Sequence, residues 1–208
     1  AALRAGTIDF ALLNDPLVAT LLTDDQTIIL NSVPAIAYHV LQLRAVEPPL
    51  DILEVRQAIS CAIDRQEVLD VASLGEGQVT GPLTMATFAL PVEELFCYEK
   101  DLDRARELMA QAGMEEGFTL NVIAANAEPP TALSEAQSIQ AQLAEIGITV
   151  EIESLELSVY VDRWLAGDFQ AAVALNGGRP DPYTMYARYW QSTGNLNNVA
   201  GYSDETLD

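Results

Sequence analysis

The sequence predicts an α/β fold in which helices cover a mixed, mostly parallel sheet. Residues 118–122 and 148–152 alternate apolar and polar side chains, and a helical pattern lies between them. A strand, a crossover helix and a second strand in this order usually lie parallel. The mostly apolar run at 169–175 is typical of a strand that is buried on both of its faces.

The predicted helices follow from apolar spacing and from residues that start or stop helices. Asp101 and Asp181 are suitable N-caps, Pro182 suits the first helical position, and Gly113 and Gly147 are suitable stops. Helices are therefore predicted at 51–71, 101–113, 136–146 and 160–165, with a last one that begins at 181 or 182.

The first part of the chain is organised differently. Strand-like patterns occur at 27–30 and 37–43, and the polar stretch 44–49 then interrupts the apolar pattern. Glycines and prolines between 75 and 91 are too frequent for a helix or a strand, so this region is predicted to be a long loop.

Composition limits the classes of function. The chain has 208 residues, of which 50% are hydrophobic, so it can bury one large core or two modest ones. Its net charge of −21 disfavours binding to nucleic acid or to anionic lipid. No apolar run approaches the roughly 20 residues of a membrane-spanning helix. These observations favour a globular domain that acts on neither of those partners.

Few residues here have the chemistry of a catalytic or metal site. Cys61 and Cys97 lack the spacing of zinc or redox motifs; a bridge between them is possible, but we interpret them first as small buried side chains. His39, the only histidine, is expected to have a structural or surface role. With no phosphate-binding glycine loop either, the sequence predicts a binding module without cofactor, metal or catalytic residues.

The segment after the apolar run at 169–175 is the strongest candidate for a binding site. The run ends in a polar turn bounded by glycine and proline that carries one arginine, and binding sites are commonly built where a strand presents a charged group on a shaped loop. The candidate ligand-binding residues are Asn176, Gly177, Gly178, Arg179, Asp181 and Tyr183.

Two features beside this loop have other interpretations. Asp181 and Pro182 are expected mainly to begin a helix. Tyr186 and Trp190 lie four residues apart on one helix face, and we expect them in the core in preference to a ligand platform.

Four stretches carry a resemblance to a known family: LRAGTID at 3–9, PLDILEVRQAISCAIDR at 49–65, AEIGI at 144–148 and GYSD at 201–204. The combination of VRQAI with AIDR in the second stretch is the most specific. In this order and at these distances they resemble the extracytoplasmic solute-binding proteins of peptide and nickel ABC importers. Arg56, Asp64 and Arg65 within it are expected to have architectural roles.

This resemblance implies a periplasmic-binding-protein-like lobe and a fragment of a much longer two-lobed protein. Residues 1–43 would be a remnant of the first lobe and the hinge crossing, and residues 44–208 a truncated second, C-terminal α/β lobe. The implied function is the substrate-binding component of an ABC importer, which holds a peptide or peptide-like solute between the lobes and delivers it to permease subunits in the membrane.

The same resemblance implies a location outside the cytoplasm, in the periplasm or on the outer face of the membrane, with membrane association only through a lipid anchor beyond this chain. The alternatives are binding of nickel, another metal chelate or another small solute, and a non-transport sensor or interaction module on the same scaffold.

The candidate loop departs from the family pattern. In peptide-binding relatives the corresponding strand is followed by a Trp and by an Asp that anchors the peptide's free amine. Asn176 stands at the Trp position here, and Arg179 or Gly178 stands at the Asp position, depending on the direction of counting. Leu157 is aliphatic where peptide binders can carry an aromatic residue.

Neither arginine nor glycine can pair with an ammonium group, whereas Arg179 could hold a carboxylate through two parallel hydrogen bonds. We therefore hypothesise a ligand that presents an acid, or at least lacks the anchored amine, at this end. The alternative is that Arg179 braces Asp181 or a neighbouring acid.

Overall fold

One four-stranded sheet organises the fold. The computed structural model describes residues 2–33, 35–80, 91, 94–202, 204–206 and 208. The strands are β1 (Tyr38–Leu43), β2 (Phe118–Ala125), β3 (Ile148–Leu155) and β4 (Ala171–Asn176), in the order β1-β4-β2-β3. β2 runs parallel to both β3 and β4, and β1 runs antiparallel to β4. The predicted mixed, mostly parallel sheet is confirmed.

Helices cover both faces of the sheet. They are α1 (Pro16–Thr20), α2 (Leu53–Ala62), α3 (Arg65–Ser73), α4 (Leu102–Gln111), α5 (Ala132–Leu143), α6 (Leu157–Ala166), α7 (Pro182–Trp190) and α8 (Asn197–Ala200). The larger core lies between one face and α2, α4 and α5, and a smaller core joins the other face to α6 and α8. Ala171, Ala172 and Val173 of β4 are buried on alternating faces, as the apolar run predicts.

The single helix predicted at 51–71 is wrong, because the chain forms two helices there. Ile63 has extended backbone angles, and the Asp64 carboxylate accepts hydrogen bonds from the backbone N–H groups of Gln66 and Glu67 at 2.9 and 3.0 Å. An aspartate that caps a new helix competes with helix continuation, although the apolar spacing runs on through the break.

The strand predicted at 27–30 is also wrong. The Asp25 carboxylate accepts hydrogen bonds from the backbone N–H and the hydroxyl of Thr27 and holds this segment in a turn. The short helix α1 was not expected. The strand predicted at 37–43 is confirmed as β1, and its pairing with β4 joins the two sides of the predicted boundary at 43/44 within one sheet; that division into lobes stays a prediction.

The predicted loop at 75–91 is only partly covered by the structure. Residues 75–80 form neither helix nor strand, as expected. Residues 81–90, which carry much of that prediction, lie outside the described residues.

Cys61 and Cys97 form a disulfide, so their interpretation as two separate buried side chains is wrong. The bond joins α2 to the segment that leads into α4. Arg65 reinforces the same junction, because its guanidinium donates to the carbonyl oxygens of Cys97 and Tyr98 at 3.0 and 2.8 Å. Arg56 donates to the carbonyl oxygens of residues 50 and 51. The architectural role expected for these two arginines is confirmed.

Two glycines in contact place the first residues of β2 and β3 side by side. Gly117 and Gly147 have φ angles of +74° and +85°, which favour glycine. A Cβ atom on Gly117 would lie 1.9 Å from the carbonyl oxygen of Gly147, so their backbones are in direct contact. The next residues, Phe118 and Ile148, are register partners, and the two strands then remain paired over all eight of their residues.

Candidate ligand-binding site

The candidate loop leaves the sheet at the carboxyl end of β4. Because β2, β3 and β4 are parallel, their carboxyl ends share one edge of the sheet, which is where α/β proteins usually bind ligands. Residues 177–181 follow Asn176 and lead into α7. The Asp181 carboxylate accepts a hydrogen bond from the Thr184 backbone N–H at 2.8 Å. The predicted capping role of Asp181 is therefore confirmed.

Gly178 fixes the path of the loop against the chain that enters β1. A Cβ atom at this position would lie 1.7 Å from the carbonyl oxygen of Ile36 and 2.6 Å from its carbonyl carbon. At Gly177, by contrast, an added Cβ atom meets nothing within 4 Å. The two adjacent glycines thus have different environments: residue 178 is buried against main chain, and residue 177 faces open space.

Asn176 is buried and has a structural role beneath the loop. It is 5% exposed, and it is the register partner of Tyr38 in the β1–β4 pair. Burial raises the pKa of Tyr38, and burial also raises the pKa of the neighbouring Tyr189 to about 12. Both hydroxyls therefore stay neutral at ordinary pH.

Arg188 holds the loop from the side of α7. Its Nη2 donates to the carbonyl oxygen of Gly177, and its guanidinium carbon lies 4.9 Å from the centre of the Tyr189 ring. The Nε atom of Arg188 is buried and finds no hydrogen-bond acceptor among the described residues. Arg188 was not among the candidate residues expected from the sequence; the available signal was a basic residue in the last turn of the helix that follows the loop.

Arg179 is the candidate residue with a positively charged side chain. It is exposed, and its backbone N–H donates to the sulfur of Met185 at 3.1 Å. Within the part of the chain that the structure describes, its guanidinium makes no hydrogen bond or ion pair. The expected alternative, a brace between Arg179 and Asp181, is therefore not formed.

The remaining large side chains of α7 differ in burial. Met185 and Tyr189 are buried. Tyr186 and Trp190 stack with ring centroids 4.8 Å apart and are only partly buried, which corrects their expected place in the core. Tyr183 is 67% exposed at the start of the helix.

Nearly all basic side chains bind a carboxylate or a main-chain carbonyl group. Six of the ten pair with carboxylates: Arg4, Arg44, Lys100, Arg104, Arg106 and Arg163. Arg56, Arg65 and Arg188 donate to main-chain carbonyl oxygens. Of the basic side chains in the described ranges, only the guanidinium of Arg179 is left without such a partner, in a chain whose net charge is −21.

A second polar cluster lies at the same edge, against the other face of the sheet. His39 Nδ1 lies 2.7 Å from Glu135 Oε1, which also accepts a hydrogen bond from the Thr131 hydroxyl at 2.6 Å. The Glu135 side chain is 9% exposed and that of His39 is 40% exposed. The structural role expected for His39 is confirmed. Among residues the structure describes, no three His, Cys, Asp or Glu side chains are arranged to hold a metal ion.

Two surface clefts lie away from the loop. One is lined by residues 97 and 99–103 with Arg106, and the other lies between Glu47, Asn121, Glu153 and Arg163. Neither includes a candidate ligand-binding residue, and Arg106 and Arg163 are already paired with carboxylates. Chemistry and position at the sheet edge therefore favour the loop over either cleft.

Comparison with known sequences identifies the family. The sequence model for the middle region of bacterial extracellular solute-binding proteins, family 5, matches residues 1–197. The chain belongs to this family. The resemblance inferred from the four sequence stretches is confirmed.

Family 5 relatives of known name are binding proteins. The di/tripeptide-binding protein 3 of Pseudomonas aeruginosa is 34% identical over 83% of this chain and 32% of its own length. The glutathione-binding protein GsiB of Shigella flexneri is 28% identical, over 100% of this chain and 42% of its own length.

A solved structure of a periplasmic binding protein has the same fold. The periplasmic binding protein DppA of Helicobacter pylori, in complex with the peptide STSA, matches with a TM-score of 0.84 and 27% identity over 99% of this chain and 40% of that one. The chain thus spans about a third to two fifths of the length of these relatives. No helix in the described ranges is long and apolar enough to cross a membrane.

Proposed function

We propose that this chain is part of the substrate-binding component of an ABC importer. In this proposal it holds a peptide or peptide-like solute between two lobes and delivers it to permease subunits, without chemical conversion. The observation that carries the proposal is the polar, glycine-bounded loop at the carboxyl edge of a family 5 sheet. The names of the di/tripeptide- and glutathione-binding relatives support a peptide-like ligand.

The candidate residues have different parts in this proposal. Gly177, Arg179 and Tyr183 have space or exposed surface with which to meet a ligand. Asn176, Gly178 and Asp181 hold the loop through the contacts described above. The ligand is thus met by a loop whose main chain is already fixed, which lowers the entropic cost of binding.

A location outside the cytoplasm is part of the proposal. The Cys61–Cys97 disulfide supports it, because disulfides persist in oxidising compartments and are rare in the cytosol. Family membership supports the same location.

Ligand-dependent thermal unfolding of the protein in its natural length tests this function. Di- and tripeptides and glutathione are expected to raise the melting temperature, since a ligand at a hundred times its Kd stabilises by about 2.7 kcal/mol. Glucose and a nickel–histidine complex serve as non-peptide comparisons. Stabilisation by the comparison compounds alone, or mass spectrometry that shows chemical conversion of a bound peptide, would contradict the proposal.

A further inference from the structure

We propose that Arg179 and Arg188 together form a site for a carboxylate group of the ligand, with Arg179 as the group that binds it and Arg188 as a positioning residue. This inference rests on the proposed function and specifies its ligand: a solute that presents an acid to the loop at the carboxyl edge of the sheet.

The first observation is electrostatic. Arg188 donates to the carbonyl oxygen of Gly177, two residues before Arg179 in the same loop. Neither arginine forms an ion pair with any described carboxylate, although the chain carries 31 Asp and Glu residues. A guanidinium group without a carboxylate partner is able to form charge-assisted hydrogen bonds to a bound anion. A bound ammonium group would instead add positive charge beside it.

The second observation concerns geometry. Arg188 cannot turn freely towards solvent, because its Nη2 is engaged with the loop, its Nε is buried and its plane lies beside the Tyr189 ring. Arg179 is exposed on a loop that Arg188 holds from one side and Gly178 fixes against Ile36 on the other. The exposed fork of Arg179 is therefore carried on a fixed main chain and is free to make two parallel hydrogen bonds to a carboxylate.

The third observation concerns the charge of the anion. Asp181, two residues from Arg179, is engaged as the cap of α7 through Oδ1, so an acidic residue stands in the same loop. The remainder of the molecule is strongly acidic. A group with a single negative charge, such as a peptide C-terminus or an acidic side chain, suits this environment better than a polyanion.

Small ligands with and without a free carboxylate or a free amine test the inference by isothermal titration calorimetry on the protein in its natural length. The probes are trialanine, trialanine C-terminal amide, N-acetyltrialanine and succinate. We expect both peptide acids to bind and the amide to bind at least tenfold more weakly, because it loses the charge-assisted pair. N-acetylation is expected to change the affinity little.

Substitutions separate this site from general effects. Arg179→Gln should weaken binding of the acids by about 10- to 100-fold and remove the difference between acid and amide. Arg188→Gln should weaken the acids as well, and the double variant should lose less than the product of the two single effects, because both residues act on one site. Arg104→Gln removes a charge from an exposed helix pair and should leave every affinity unchanged. Thermal unfolding verifies that each variant is folded.

The outcomes test the carboxylate site and the peptide-binding function separately. Equal affinity for trialanine and its amide, or full binding of the acids by Arg179→Gln, overturns the carboxylate site and leaves the peptide function standing. Binding of succinate without any peptide supports the carboxylate site and overturns the peptide function. Binding of no acid at all overturns the carboxylate site.

Discussion

At the residue scale, the candidate loop depends on a few close contacts that fix its main chain. Gly178 lies against the backbone of Ile36, Arg188 ties the carbonyl oxygen of Gly177 to α7, and Asp181 begins that helix. Side chains that support the loop are thus distinct from the exposed ones that a ligand can meet. This division explains why a strongly polar segment can be both ordered and available.

Gly178→Ala tests the closest of these contacts. The new Cβ atom would have to displace the Ile36 carbonyl. We therefore expect the free energy of unfolding to fall by about 1–3 kcal/mol, as at other overpacked sites. Chemical denaturation measures this loss. Gly177→Ala is the matched control, since its Cβ atom enters open space and should change stability by less than about 0.5 kcal/mol. Equal stability of the two variants would contradict the contact.

Local chemistry could be predicted at this scale, and long-range contacts could not. The capping role of Asp181 follows from its own type and that of the next residue. Arg188 contacts Gly177 across 11 positions of sequence, and His39 meets Glu135 across 96. Nothing in the spacing of these residues indicates that the fold brings them together.

At the element scale, apolar periodicity predicted the sheet well and helix boundaries less well. The three parallel strands were expected because period-two patterns with short connections leave few arrangements. The break between α2 and α3 was missed, since apolar spacing continues through Ile63, although its backbone is extended and the Asp64 side chain caps the next helix. A polar N-cap side chain can thus set where a helix begins, at a position that the hydrophobic pattern does not reveal.

The disulfide between α2 and the segment before α4 gives a prediction at this scale. It closes a loop with a sequence separation of 36 residues, for which the chain-entropy account gives a contribution of about 4 kcal/mol. Reduction should therefore lower the urea midpoint of unfolding clearly. The Cys61→Ala/Cys97→Ala variant should show the lower midpoint with or without reductant. An unchanged midpoint of the native protein under reducing conditions would contradict this prediction.

At the scale of the whole molecule, charge is the dominant feature. Acidic residues outnumber basic ones by 31 to 10. Carboxylates of the folded chain therefore repel one another, even though six basic side chains form ion pairs. Family membership could be predicted from the sequence, because it rests on four ordered motifs. The division into lobes was inferred from the resemblance alone, and it stays a prediction.

Salt should stabilise this protein, because it screens the repulsion between like charges more than it weakens a few surface pairs. Raising the sodium chloride concentration from about 0.05 to 1 M shortens the Debye length to about 3 Å. The melting temperature should therefore rise. Each 1 kcal/mol gained corresponds to roughly 2–4 °C. The Glu115→Gln/Glu116→Gln/Glu151→Gln variant should respond less to salt. A melting temperature that falls with salt would contradict this expectation.

The contact between Gly117 and Gly147 has a consequence at a distance. Since β2 and β3 start side by side at these turns and pair without interruption, they also finish side by side at Ala125 and Leu155, about 25 Å away. The position of this edge, where the proposed ligand site lies, is thus set at the opposite end of the sheet, by two residues outside the proposed site.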